Sequence, residues 1–197
     1  MIKAIIFDYN GLFGPDSDDW TSYRSIPVLT GLSEGELHEL FDESWSTISI
    51  GRENLIDFFA RVAAKSRKKI TREQLLQAYL NDIIVYEEVL NFAKKLKEKG
   101  LQLFILSNET KEAMDFKLDK YHLNLVFDKV YCSADIGMTK RNPDAFKLVL
   151  DEQKLNPQET LFVDDRSHNV DTAKSFGMRG IIYKDLQQFE KELIKYL

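Results

Sequence analysis

Several short runs of apolar residues divide the chain, and most of them stop abruptly at polar side chains. They cover residues 4–7, 101–106, 161–163 and 180–183. Continuous apolar runs of this length are typical of strands that are buried on both faces, as in a parallel sheet.

Helical patterns lie between these runs. Residues 86–99 carry apolar side chains at helical spacing and end at Gly100, and further helical patterns cover 144–153, 167–176 and 185–196. Strand and helix therefore alternate from Tyr86 onward. This alternation predicts an α/β fold, with a Rossmann-like open parallel sheet and helices on both faces.

Residues 14–85 break the alternation. Helical patterns cover 33–41, 54–64 and 71–79, and the first and third open with a sequence that resembles a capping box. We therefore predict a small all-α subdomain at 14–85, inserted into an α/β core domain formed by 1–13 and 86–197.

Composition narrows the possible functions. With 197 residues, 44% of them hydrophobic, the chain can bury a substantial core. The net charge of −5 argues against nucleic acid as a partner. No apolar stretch approaches the ~20 residues of a membrane helix, and the single cysteine fits a reducing compartment. We expect a cytoplasmic protein with no membrane partner, and the sequence leaves its oligomeric state open.

Polar side chains follow three of the predicted strands. Asp8 comes after the first strand, Ser107 ends the second, and Asp164 and Asp165 follow the run at 161–163. Ligands of open α/β sheets bind outside the carboxyl ends of the strands. These side chains are therefore expected to share one edge of the sheet and to form a site.

Three carboxylates at one edge repel one another unless a cation intervenes. Oxygen ligands favour a hard cation, and Mg²⁺ is the natural choice beside a phosphate. Lys140 precedes the helix that Pro143 opens. From its spacing alone, it is equally well a compensating charge in the site or an ordinary exposed lysine.

Four segments in order give the chain a family resemblance. They read IIFDYNGL at 5–12, FILSN at 104–108, KRNPDAF at 140–146 and FVDDRSHNV at 162–170. Together they are similar to the motifs of the haloacid dehalogenase-like (HAD) hydrolase superfamily, in its helical-cap branch of phosphatases and epoxide-hydrolase N-terminal domains. The resemblance implies that the inserted helices form a cap over the site.

The resemblance also implies catalytic roles. Asp8 would attack phosphorus and form an aspartyl-phosphate intermediate. Ser107 and Asn108 would bind the phosphate of a small-molecule ester. Lys140 would neutralise the charge on Asp8 and on that phosphate.

A magnesium site is implied by the same motifs. Its ligands would be Asp8, the backbone carbonyl of Asn10, Asp165 and, directly or indirectly, Asp164. Asn169 would support the site by orienting Lys140 or an acidic ligand.

Asn10 departs from the family pattern, since the phosphatases usually have an aspartate there as general acid and base. An amide cannot protonate a leaving oxygen at neutral pH, and general acid–base help is typically worth ~10²–10⁴-fold. We favour a phosphatase for a small phosphorylated metabolite. Three alternatives stay open: a weak or silent relative that binds a ligand, a haloacid dehalogenase-type C–halogen hydrolase, and a phosphotransferase.

Overall fold

The computed structural model describes residues 1–16 and 23–197, which build a five-stranded parallel sheet in the order β3-β2-β1-β4-β5. The strands are β1 (Ala4–Phe7), β2 (Gln102–Ser107), β3 (Lys129–Cys132), β4 (Thr160–Asp164) and β5 (Arg179–Ile182). In the register of the sheet, Phe7 pairs with Ile105 on one side and Val163 on the other. The predicted α/β fold with an open parallel sheet is confirmed.

Helices follow the strands along the second part of the chain. They are α5 (Glu87–Glu98), α6 (Lys111–Lys120), α7 (Ser133–Ile136), α8 (Asp144–Glu152), α9 (Ser167–Ser175) and α10 (Leu186–Leu193). Helix α6 and the short α7 were not predicted from the sequence. Successive side chains of a strand point to opposite faces, so Ile5 and Phe7 join one apolar cluster while Ala4 and Ile6 join another. Helices therefore cover both faces of the sheet.

Between β1 and α5 the described residues form helices and no strand. The helices are α1 (Ile26–Thr30), α2 (Glu34–Ile48), α3 (Leu55–Lys65) and α4 (Arg72–Asp82). Both predicted capping boxes are present, at Ser33 and at Thr71, while α2 continues well beyond the predicted end at residue 41. The division into a core of 1–13 and 86–197 and a subdomain of 14–85 stays a prediction.

The helices α1–α4 share an apolar cluster that also contains Ala113 of α6. Hydrogen bonds reinforce this contact, since the backbone N–H of Leu55 donates to Glu112 and the hydroxyl of Tyr121 donates to the carbonyl of Ile83. In the described ranges, no helix is long and apolar enough to cross a membrane.

Candidate active site

Three carboxylates meet at the carboxyl edge of the sheet. Asp8 directly follows β1, Asp164 ends β4 and Asp165 comes next. One oxygen from each of the three lies within 4.8 Å of the others. Parallel pairing of neighbouring strands produces this gathering, as the sequence analysis expected.

Lys140 lies inside this cluster and is almost fully buried, so the interpretation as an exposed lysine is wrong. Its Nζ is 2.6 Å from Oδ2 of Asp8 and 2.6 Å from Oδ2 of Asp164. Burial lowers the pKa of Lys140, but the two carboxylates outweigh that effect and its pKa is raised overall. The side chain is therefore a positive charge at neutral pH. Asn108 Oδ1 accepts the backbone N–H of Lys140 at 2.8 Å, which holds the loop in place.

Asp8 is held by two donors. Lys140 contacts Oδ2, and the backbone N–H of Tyr9 donates to Oδ1 at 2.6 Å. Burial raises the pKa of Asp8 to about 7, although Lys140 acts in the opposite direction. The charged carboxylate therefore depends on a nearby cation.

Asp164 and Asp165 differ in their surroundings. Asp164 is fully buried, and its Oδ1 accepts the backbone N–H of Arg166 at 2.8 Å and Nδ2 of Asn169 at 3.0 Å. Asp165 is only partly buried and lines the cavity beside Arg166, whose Nε lies 3.3 Å from Oδ2. Burial, followed by the charge of Asp164, raises the pKa of Asp165. Asp165 thus presents the more accessible carboxylate.

Ser107 contributes a hydroxyl that is not used within the fold. Its side chain is fully buried, and its Oγ has no hydrogen-bond partner among the residues that the structure describes. A buried polar atom without a partner costs folding free energy, about 1–3 kcal/mol. An anion at the edge of the sheet would give this hydroxyl an acceptor.

A cavity of about 860 Å³ opens beside the acidic cluster, and Ser107 and Asp164 are not part of its lining. Asp8, Asn10, Asn108, Lys140, Asp165 and Asn169 line its floor. One face of α2 also lines the cavity, with His38, Phe41, Asp42, Trp45 and Ser46. The rings of Phe41 and Trp45 stack with centroids 5.1 Å apart. Trp20, another residue that the sequence placed in the insert, lies outside the described residues.

The sequence analysis missed two charged residues next to this floor. Glu109 and Lys117 form a buried ion pair that contacts the side chain of Asn10. The available signal was a carboxylate two residues after the buried strand that ends at Ser107. Lys117 gave no signal, because its helix α6 was not predicted.

Gly11 packs against the acidic cluster, and we predict that Gly11→Ala destabilises the protein. Its φ is +79°, and a Cβ would lie 2.7 Å from Oδ2 of Asp165. Left-handed backbone alone costs a non-glycine residue about 1–2 kcal/mol, and the clash adds to that cost. Gly100→Ala is the control, since its φ of +87° is similar and its Cβ would meet nothing within 4 Å.

Thermal unfolding compares the two variants. Gly11→Ala is expected to lower the melting temperature more than Gly100→Ala does. Equal shifts would mean that the backbone strain accounts for everything and that Asp165 yields without cost.

Comparisons with known proteins agree with this geometry. The family described as haloacid dehalogenase-like hydrolase matches residues 33–183. A D-ribitol-5-phosphate phosphatase of Bacteroides thetaiotaomicron is 27% identical over 98% of this chain and 97% of its own length. A sesquiterpene phosphatase of Aspergillus oryzae is 33% identical over 93% of this chain and 90% of its own.

Solved structures share the fold. A HAD family enzyme from Bacteroides thetaiotaomicron, in complex with magnesium and inorganic phosphate, superposes with a TM-score of 0.78 at 21% identity, over 93% of this chain and 95% of its own. Other relatives are much longer, and this chain spans 38% of the bifunctional epoxide hydrolase 2 of Sus scrofa. With its family match covering most of the sequence, the chain belongs to the haloacid dehalogenase-like hydrolases.

Proposed function

We propose that this hydrolase is a Mg²⁺-dependent phosphatase for a small phosphorylated metabolite, and that Asp8 is its covalent nucleophile. The observation that carries the proposal is the pairing of Asp8 with the buried Lys140, at 2.6 Å, next to acidic groups at the floor of a cavity. The unpartnered hydroxyl of Ser107 supports it, because a phosphate oxygen would accept its hydrogen bond. Two relatives that cover nearly the whole chain are named as phosphatases.

The acidic cluster fits a hard divalent cation. It offers carboxylate oxygens only, close enough together for one ion to bind all three residues. Asp8, Asp165 and the backbone carbonyl of Asn10 would hold Mg²⁺, with Asp164, which Lys140 and Asn169 orient, as a further direct or indirect ligand. When bound, the ion offsets the repulsion between carboxylate and phosphate and stabilises charge in the transition state.

In the first step, a carboxylate oxygen of Asp8 attacks phosphorus and the bond from phosphorus to the ester oxygen breaks. The alcohol leaves after its oxygen gains a proton from water. Lys140 stabilises the negative charge on the transferring phosphoryl group, and Ser107 donates to one of its oxygens. In the second step, water attacks the aspartyl phosphate and gives up a proton to the hydroxide left by the first step, the bond from phosphorus to Asp8 breaks, and inorganic phosphate and the carboxylate of Asp8 are released.

Helices α1–α4 would act as the cap over this chemistry. Helix α2 lines the same cavity as Asp8, so its residues would contact the part of the substrate beyond the phosphate. Asp42 and Ser46 offer hydrogen bonds to hydroxyl groups, and the stacked pair of Phe41 and Trp45 offers an apolar surface. A cavity of about 860 Å³ fits a ligand of metabolite size.

Phosphate release from a panel of sugar phosphates, polyol phosphates, nucleotides and an activated aryl phosphate tests the proposal. We expect release in Mg²⁺ and none in excess chelator, with the aryl ester reacting faster than the alkyl esters because its leaving group needs no proton. Transfer to an added alcohol would indicate a phosphotransferase, and chloride release from 2-chloropropionate a C–halogen hydrolase. No reaction with any of these substrates would leave the ligand-binding alternative.

A further inference from the structure

A buried ion pair lies beside the loop that follows Asp8, and the mechanism above does not use it. Nζ of Lys117 is 2.5 Å from Oε2 of Glu109, and their side chains are only 5% and 7% exposed. Nζ also lies 4.2 Å from the centroid of the Tyr9 ring. The other carboxylate oxygen of Glu109 accepts the backbone N–H of Thr110 at 2.8 Å.

The ion pair holds the side-chain amide of Asn10. Lys117 Nζ donates to Oδ1 of Asn10 at 3.3 Å, and Nδ2 of Asn10 donates to Oε2 of Glu109 at 3.4 Å. An ammonium can only donate and a carboxylate can only accept. The two charges therefore dictate which end of the amide faces which partner.

Asn10 belongs to the floor of the cavity, whereas its two charged partners are almost fully buried. Glu109 lies in the loop between β2 and α6 and Lys117 lies on α6, so this one segment of the fold determines where the amide lies. An active-site side chain whose rotamer is fixed by neighbouring groups is preorganised for its task.

The charges of Asn10, Glu109 and Lys117 sum to zero only because residue 10 is neutral. One ammonium faces one carboxylate, and an aspartate at position 10 would add a second carboxylate beside Glu109. Like charges that close are unfavourable in a buried site. The hydrogen bond from Thr110 keeps Glu109 from turning away.

We propose that Glu109 and Lys117 are positioning residues of the active site, a proposal that rests on the phosphatase function. They fix the amide of Asn10 at the cavity floor and with it the loop between Asp8 and Gly11. Glu109 supplies the negative charge that Lys117 needs. A neutral amide therefore suits position 10 better than a second carboxylate does.

Relocating the carboxylate tests this proposal. Asn10→Asp places two carboxylates around Lys117, and Glu109→Gln leaves Lys117 with none. The double variant, Asn10→Asp with Glu109→Gln, moves the carboxylate from position 109 to position 10, its neighbour in space, and keeps the net charge. Lys111→Met is the matched control, because Lys111 is on the same helix in exposed pairs with Asp115 and Asp135.

We measure thermal unfolding in chelator, and kcat and KM for an activated aryl phosphate in Mg²⁺. Each single variant is expected to melt at a lower temperature, and Glu109→Gln is expected to lose about 10–100-fold in kcat, the usual effect of losing a group that orients an active-site residue. KM should change less than kcat. Asn10→Asp also adds the carboxyl that serves the family's phosphatases as general acid and base, so its kcat is not a readout of positioning. The double variant should recover much of the lost melting temperature, and Lys111→Met should match the wild type in both properties.

Two results would overturn the proposal. Additive effects of the two substitutions on the melting temperature would mean that positions 10 and 109 are not coupled. Coupling in stability with wild-type kcat in Glu109→Gln would reduce the ion pair to a structural role.

The proposed function fails separately, if the wild type releases no phosphate from any ester. The ¹⁵N–¹H resonances of the Asn10 side chain then still test the positioning. A large shift in Glu109→Gln, with none in Lys111→Met, supports it, and unchanged resonances overturn it.

Discussion

Asp8→Asn is expected to abolish phosphate release, with a loss of at least about 10⁴-fold in kcat. An amide is too weak a nucleophile to attack phosphorus, so no aspartyl phosphate can form. The fold should survive, because Lys140 keeps its contact of 2.6 Å with Asp164. Burial raises the pKa of the Asp8 carboxyl, and removing that buried acid should leave the melting temperature unchanged or higher.

Phosphate release and thermal unfolding are measured on the same preparations. Asp171→Asn, an exposed position on α9, is purified in the same way and should keep wild-type activity, which shows that an aspartate-to-asparagine change as such is harmless. Asp8→Asn with more than a tenth of the wild-type activity would contradict a covalent mechanism on Asp8. A loss of activity accompanied by unfolding would instead assign a structural role to this carboxylate.

The sheet could be predicted from the sequence because its strands are buried on both faces. Such strands consist of continuous runs of apolar residues. Once parallel strands are recognised, their carboxyl ends must share one edge. Asp8, Ser107 and the pair Asp164–Asp165 were therefore found without coordinates. Their roles in catalysis stay predictions.

Features that depend on packing escaped the sequence analysis. Helix α6 has apolar residues on a narrow face only, with Ala113 and Met114 buried, and Lys117 buried among them. A lysine is normally exposed, so no sequence pattern marks this one as an internal cation. Spacing alone left Lys140 open for the same reason, since it does not reveal which lysines the fold surrounds with carboxylates, and only the resemblance to the HAD motifs indicated its place beside Asp8.

Lys140→Met is expected to cost more stability than any other single change at the site. It leaves Asp8 and Asp164 buried without their cation, and breaking a buried pair typically costs about 3–5 kcal/mol. The methionine side chain replaces most of the lost aliphatic volume, so the loss is mainly electrostatic. Chemical denaturation in chelator measures it. We also expect kcat in Mg²⁺ to fall by at least about 10²-fold, since one charge that stabilises the phosphoryl group is gone.

The pH dependence of the stability of Lys140→Met distinguishes the effect of the lost charge from the effect of altered packing. Lys140 lowers the pKa of Asp8, so without it the folded-state pKa lies above about 7, far above that of the unfolded chain. The folded state then binds the extra proton, and stability falls as the pH rises toward the folded-state pKa. The deficit relative to the wild type should be smaller at pH 5 than at pH 8. Lys140→Met combined with Asp164→Asn should regain stability at pH 8 without regaining activity. An equal deficit at both pH values would instead mean that the substituted methionine packs badly and that the charges matter little.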